Sequence, residues 1–192
     1  FTGKVPWLKT PNMDKMAREG VHCPNTYVTT SLCSPSRASI LTGLYSHSHT
    51  IVDNSAPDPG NLIYFPQYLQ KSGYQTALIG KWHMGANNSN PRPGFDHWVS
   101  FKGQGLYYNP LFNINGVEKQ YTDSAYTSDL LTDHAIEFME DRDEKKPFFL
   151  YLSHKAVHAG FKAARRHKGQ YAEENLIYPP TYYQTQSSDY IK

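Results

Sequence analysis

Three times along this chain a β-rich apolar run passes directly into a cluster of polar, chemistry-bearing side chains. Residues 26–30 lead to Cys33 and Arg37, residues 76–79 to Lys81 and His83, and the continuous apolar run 148–152 to His154 and His158. Helical patterns separate the runs, and strands alternating with helices predict an α/β sheet with parallel strands. In an open sheet of that kind ligands bind beyond the carboxyl ends of the strands, so the three clusters are expected to converge on one edge. Each cluster alone reads as ordinary loop polarity. Their recurrence at the same end of three strands is what points to a site.

The helices are legible from their ends. Thr10-Pro11 reads as a cap with proline at the first helical position, followed by Met13, Met16 and Ala17 at helical spacing and stopped by Gly20. Ser34-Pro35 opens a second helix that carries Ala38, Ile40 and Leu41 and stops at Gly43, so it begins at or beside Cys33. Residues 65–72 form a third before Gly73, and residues 126–141 set Leu130, Leu131, Ala135, Ile136, Phe138 and Met139 at helical spacing. Residues 76–79 are a short buried strand that turns at Gly80, residues 97–101 are another, and residues 148–152, after Pro147, are the best central strand. The Asn- and Pro-rich stretch 86–94 reads as a loop, and residues 102–116 as a long excursion with exposed Tyr107 and Tyr108.

Composition narrows the function classes. At 192 residues, 39% of them hydrophobic, the chain can bury one sizeable core. Charged residues make up 19% and the net charge is +2, which argues against a nucleic-acid binder. The short basic run 162–168 reads as a solvated helix face. No stretch approaches the roughly 18 apolar residues of a membrane span, and a start at Phe1 leaves room for a removed leader. Asn87-Asn88-Ser89 fits a glycosylation acceptor, a triplet too frequent to decide the compartment. Two cysteines make no disulfide framework, and Cys23 reads as a small buried hydrophobe.

Cys33 has a different context. A residue at a helix N-terminus faces unpaired backbone N–H groups and the positive end of the dipole, which suits a nucleophilic anion or a bound oxyanion. Arg37, one turn along, can reach back with a guanidinium fork. Lys81 and His83, two residues apart on the same side of an extended segment, add a compact ammonium and an imidazole suited to proton transfer near neutral pH.

The stretch Cys33-Ser34-Pro35-Ser36-Arg37-Ala38-Ser39-Ile40-Leu41-Thr42-Gly43 resembles the signature of type I, formylglycine-dependent sulfatases, and Gly80-Lys81-Trp82-His83-Met84-Gly85 resembles that family's second signature at a similar distance. The resemblance extends from the helix at Pro11 to about Tyr171. It implies an alkaline-phosphatase-like α/β fold with a mixed, mostly parallel sheet and helices on both faces. It also implies that Cys33 is oxidised by a formylglycine-generating enzyme to an aldehyde whose hydrate attacks sulfur. Arg37 would orient that nucleophile, Lys81 neutralise sulfate charge, His83 take the proton that expels sulfate, and His158 protonate the leaving alcohol. The segment ending in His154-Lys155-Ala156-Val157-His158 is similar to the family segment that supplies this acid, with Val157-His158 where Pro-His or Thr-His is usual. Family pattern favours His158, leaving His154 to bind substrate or to hold the loop.

Family members also bind calcium through a paired Asp-Asp on a first strand and an Asp with Asn or Gln from a later one, with a second Lys beyond. No Asp-Asp occurs in this chain. The resemblance therefore implies a partial catalytic domain over residues 1–192, lacking the first strand and the C-terminal part and inactive by itself. Cys33, as formylglycine, would be its contribution to the Ca2+ site. The implied substrate is a sulfated glycan, since the segment from Ser153 to His158 and the following Arg165-Arg166-His167 resemble N-acetylglucosamine 6-sulfatases. Tyr107, Tyr108 and Trp98 are available to stack on sugar rings, although packing is the commoner role of such residues. A secreted, periplasmic or lysosomal setting is expected, without distinction among them. Two other functions fit the same residues: a phosphonate or phosphate ester hydrolase, and a non-catalytic sulfated-glycan binder with Cys33 unmodified.

Overall fold

Leu78 and Ile79 are neighbours in sequence and belong to different hydrophobic cores. Successive side chains on a strand point to opposite faces, so this split marks a sheet buried on both sides. The computed structural model describes residue 3, residues 5–85 and 88–180, and residue 182. Two compact units emerge, Tyr27–Lys162 and a smaller one made of Phe1–Thr26 with Ala163–Lys192.

The sheet lies in the larger unit. Its strand β1 (Gln75–Lys81) pairs in parallel with β2 (His97–Phe101) on one side and β5 (Phe148–Ser153) on the other. Strand β3 (Leu111–Ile114) is antiparallel to β2, and β4 (Val117–Gln120) antiparallel to β3, giving the order β4-β3-β2-β1-β5. On one face Leu78 and Trp98 pack with Ala38 and Leu41 of helix α2 (Cys33–Thr42) and with Phe65 of α4 (Phe65–Lys71). Trp82 fills the same core edge-on to Tyr64, ring centroids 5.1 Å apart. On the other face Ile79, Val99 and Phe112 meet Leu131 and Ala135 of α5 (Thr127–Asp141). Each fully buried Leu, Ile, Val or Phe among these side chains stabilises the fold by about 1.5–3 kcal/mol. The expected mixed sheet with helices on both faces is the observed one, with two parallel and two antiparallel pairings among the described residues.

Helix α2, which starts at Cys33, is held from two directions. Its last turn ends at Gly43 in the left-handed conformation, φ 71°. Its middle is pinned by His49, the wholly buried last residue of α3 (Ser46–His49). His49 Nδ1 accepts the Ile51 N–H at 3.1 Å, which leaves Nε2–H to donate to Ser39 Oγ at 3.1 Å. Burial pushes the His49 imidazole below its ordinary pKa, consistent with that neutral tautomer.

Several sequence expectations are corrected. Residues 27–30 form no strand: Tyr27 and Val28 are exposed, and β propensity without a partner strand makes none. Strand β1 does not turn at Gly80 but runs on to Lys81. The excursion 102–116 contains β3, and residues 115–116 make the tight turn to β4 with both φ positive, Asn115 at 51° and Gly116 at 96°. Asn-Gly between two β-rich runs is the sequence signal for such a hairpin. Tyr107 and Trp98 are buried rather than available to a sugar. The apolar run of β5 lies at the sheet edge among the described residues, with Phe148 40% exposed. Within the smaller unit, helix α1 (Pro11–Glu19) is as expected, Cys23 is exposed rather than buried, and residues 165–167 form one exposed 3-10 turn. Asn87 of the glycosylation triplet lies outside the described residues.

Candidate active site

Three elements bring their ends together. Helix α2 delivers Cys33 and Arg37, the end of β1 delivers Lys81, and the end of β5 delivers Ser153 and the loop after it. Arg37 Nη1 donates to the Lys81 carbonyl at 2.6 Å and to Ser153 Oγ at 2.7 Å. One guanidinium thus ties two parallel strands to the helix that starts at Cys33. Burial lowers its pKa, with Tyr151 and Cys33 acting in the opposite sense, and a guanidinium remains charged regardless. Lys81, 4% exposed, donates from Nζ to Gln104 Oε1 at 2.5 Å. Burial holds its pKa below the ordinary lysine value; the Cys33 thiol works against that shift, while Arg37 and Lys155 reinforce it.

Cys33, Arg37, Lys81, His154, Lys155 and His158 line one cavity of about 400 Å3. Cys33 is a free thiol, half-buried at the first residue of α2. Its neighbour Ser34 is fixed from both of its polar groups: the backbone N–H donates to Asn54 Oδ1 at 3.0 Å and Oγ donates to the His83 carbonyl at 2.5 Å. The segment after β1 is not extended as expected, since His83 adopts φ 49°. A non-glycine residue in that region is uncommon and clusters at functional sites. His83 consequently lines a second cavity of about 820 Å3 with Asn54 and Asp58. Its imidazole still senses the first group: burial, then Lys81, Arg37 and His158, push its pKa down to about 4, so it is neutral at pH 7. Burial alone lowers the pKa of His154.

Nδ1 of His83, His154 and His158 is buried without a hydrogen-bond partner among the described residues. An unpaired buried nitrogen costs about 1–3 kcal/mol, so three in one region mark where polar atoms of a bound molecule would be met. The six residues singled out from sequence therefore lie in one neighbourhood, with His83 set toward the adjacent cavity. His154 and His158 both line the Cys33 cavity, and its geometry does not rank them. Sequence reasoning missed Gln104 and Lys155. Gln104 had no signal, being one polar residue in a Gly-rich loop. Lys155 was within the recognised segment, but nothing in the pattern indicated that an ammonium there would be 6% exposed.

A calcium ion does not fit what the described residues provide. Among them no group of three or more His, Cys, Asp or Glu side chains is disposed to hold a metal. Calcium takes six to eight oxygen ligands, whereas the cavity at Cys33 is lined by cations, imidazoles, hydroxyls and apolar groups without a carboxylate. Among the described residues no helix is long and apolar enough to cross a membrane.

Comparison with known proteins bears on these features. The family model described as Sulfatase matches residues 3–187. The chain is 44% identical over 175 residues to an N-acetylglucosamine-6-O-sulfatase of Bacteroides thetaiotaomicron, covering 90% of this chain and 30% of that protein. It is 32% identical over 186 residues to arylsulfatase J of Mus musculus, covering 85% of this chain and 31% of that protein. A solved structure of a protein in complex with its substrate D-glucosamine-2-N,6-O-disulfate superposes with a TM-score of 0.83 at 41% identity, covering 91% of this chain and 35% of that one. The chain thus spans about a third of the length of the relatives it matches.

Proposed function

The chain belongs to the sulfatase family, and on that premise we propose that it is the part of a sulfuric ester hydrolase that carries the nucleophile, acting on a 6-O-sulfated glucosamine in a glycan. The observation that carries this reading is the contact of Arg37 with the ends of β1 and β5 around Cys33, which sets a guanidinium and an ammonium beside one oxidisable thiol. The glucosamine preference is supported by the names of the relative and of the bound substrate in the solved structure. A dedicated maturation enzyme would convert Cys33. The same reading takes calcium to be held by carboxylates from outside the described residues.

As formylglycine, residue 33 supplies an oxygen nucleophile, the hydrated aldehyde, at the N-terminus of α2. Arg37 fixes the helix start against the two strands, so the nucleophile arrives preorganised. Lys81, itself held by Gln104, offers its ammonium to the sulfate oxygens as charge builds on them. His158 protonates the departing alcohol oxygen as the S–O ester bond breaks. His83, neutral because its pKa is about 4, accepts the proton whose removal expels sulfate. His154 hydrogen-bonds the bound sulfate or the loop. Arg37 and Lys81 are committed to protein acceptors through part of their donor sets, which leaves further N–H groups to face an anion.

Matched esters test the class. The full-length protein is expected to hydrolyse N-acetylglucosamine 6-sulfate at least about tenfold faster than N-acetylglucosamine 6-phosphate. A preference for the phosphate would replace this reading with that of a phosphate ester hydrolase, and binding without turnover of either would replace it with a glycan-binding role.

A further inference from the structure

We infer that Tyr107 is a positioning residue for His158, acting through the hydrogen bond from its hydroxyl to the His158 carbonyl while Lys155 braces its ring. The inference rests on the reading above, in which His158 protonates the leaving alcohol. Tyr107 is 7% exposed, too enclosed to serve as a stacking platform. Its hydroxyl donates to the His158 carbonyl at 2.5 Å. Lys155 Nζ stands 4.5 Å from the centre of its ring and donates to the Gln104 carbonyl at 3.0 Å. The side chain of that same Gln104 accepts from Lys81.

The loop 102–107 therefore touches both the ammonium at the end of β1 and the backbone carbonyl of His158 beyond the end of β5. Its own position is set from the start of α5, where the Thr127 N–H donates to the Tyr107 carbonyl at 2.9 Å. Tyr126 lies nearly parallel to Tyr107, ring centroids 6.3 Å apart, and donates from its hydroxyl to the Lys162 carbonyl at 2.9 Å. Two neighbouring tyrosines thus tie down a segment, residues 154–162, that has turns but no strand or helix. Inside that segment the hydrogen bonds are short-range, from the His158 N–H to the Lys155 carbonyl at 3.0 Å and from the Phe161 N–H to the His158 carbonyl at 3.2 Å. Local turns of this kind shape a loop without fixing where it stands against the sheet. A general acid has to remain within hydrogen-bond reach of the oxygen it protonates. The long-range tie from Tyr107 supplies that constraint, and Lys155, by occupying one ring face, keeps the hydroxyl aimed.

The test uses the full-length protein and Tyr107→Phe, which keeps the ring beneath Lys155 and removes only the hydroxyl. We expect turnover of N-acetylglucosamine 6-sulfate to fall about tenfold or more, since small displacements of a catalytic group are costly. Turnover of 4-nitrophenyl sulfate, whose phenolate departs without a proton, should change by less than about twofold. On a His158→Ala background the substitution should have no further effect, because its action passes through that residue. Equal losses on both esters, or an undiminished loss in the His158→Ala background, would indicate a general structural role and overturn the inference. If the wild type prefers phosphate esters, the reading of the reaction fails, while the double-substitution comparison, run on the ester that is turned over, still decides the link from Tyr107 to His158.

Discussion

Replacing Cys33 by alanine in the full-length protein is expected to reduce sulfate-ester turnover by about ten-thousand-fold or more, as removal of a covalent nucleophile does elsewhere. The geometry gives this prediction its specificity. Cys33 occupies the first residue of α2, where its side chain contributes nothing to either hydrophobic core. Alanine is a strong helix former and leaves the bonds of Ser34 to Asn54 and His83 and those of Arg37 to Lys81 and Ser153 unaltered. The thermal midpoint should therefore move by no more than a few degrees while turnover disappears. Retained turnover with full stability would place the reaction on some other nucleophile.

Gly80→Ala should produce the largest loss of stability. Gly80 lies inside β1 at φ 122°, a conformation that L side chains rarely adopt, and an added Cβ would stand 1.9 Å from the Ser153 carbonyl oxygen on β5. No rotamer relieves a clash between backbone atoms, so the two strands must separate. The cost is about 3 kcal/mol or more, from backbone strain and lost packing together. Gly43→Ala is the matched comparison: φ is again positive, 71°, but nothing lies within 4 Å of the added atom. That variant should cost about 1 kcal/mol. Denaturant unfolding of the two variants checks the contrast, and equal losses would show that close approach of β5 to β1 is not what Gly80 provides. Since Ser153 also accepts from Arg37, the same separation loosens the guanidinium beside Cys33.

Much of this arrangement was legible from residue patterns, and the exceptions have identifiable causes. Helix α2 was readable because Pro35 and Gly43 mark its two ends, and the edge of the sheet because β1 and β5 each pass directly into polar residues. The supposed strand 26–30 failed because β propensity describes a side chain's fit to a pleated surface, and among the described residues nothing pairs with that segment. The hairpin β3–β4 was missed although Asn115-Gly116 announces it, because glycines at 103 and 105 made the whole stretch look irregular. Gly105 has a packing reason of its own, since a Cβ there would meet the Phe101 ring at 2.5 Å. The braces of the site, Gln104, Lys155 and Tyr107, could not be read from sequence. Their roles depend on contacts across 23 to 51 residues of chain, from Lys81 to Gln104 and from Tyr107 to His158. No short pattern encodes a contact of that separation.

The central claim is that Cys33 is the site of an oxidised, oxygen-bearing nucleophile held by Arg37 and Lys81. Mass spectrometry of the peptide containing Cys33, from the protein isolated out of its native source, tests this most directly. Conversion to formylglycine predicts a mass lower by about 18 Da than that of the thiol. A peptide carrying only the unmodified thiol, in a preparation that still hydrolyses sulfate esters, would contradict it.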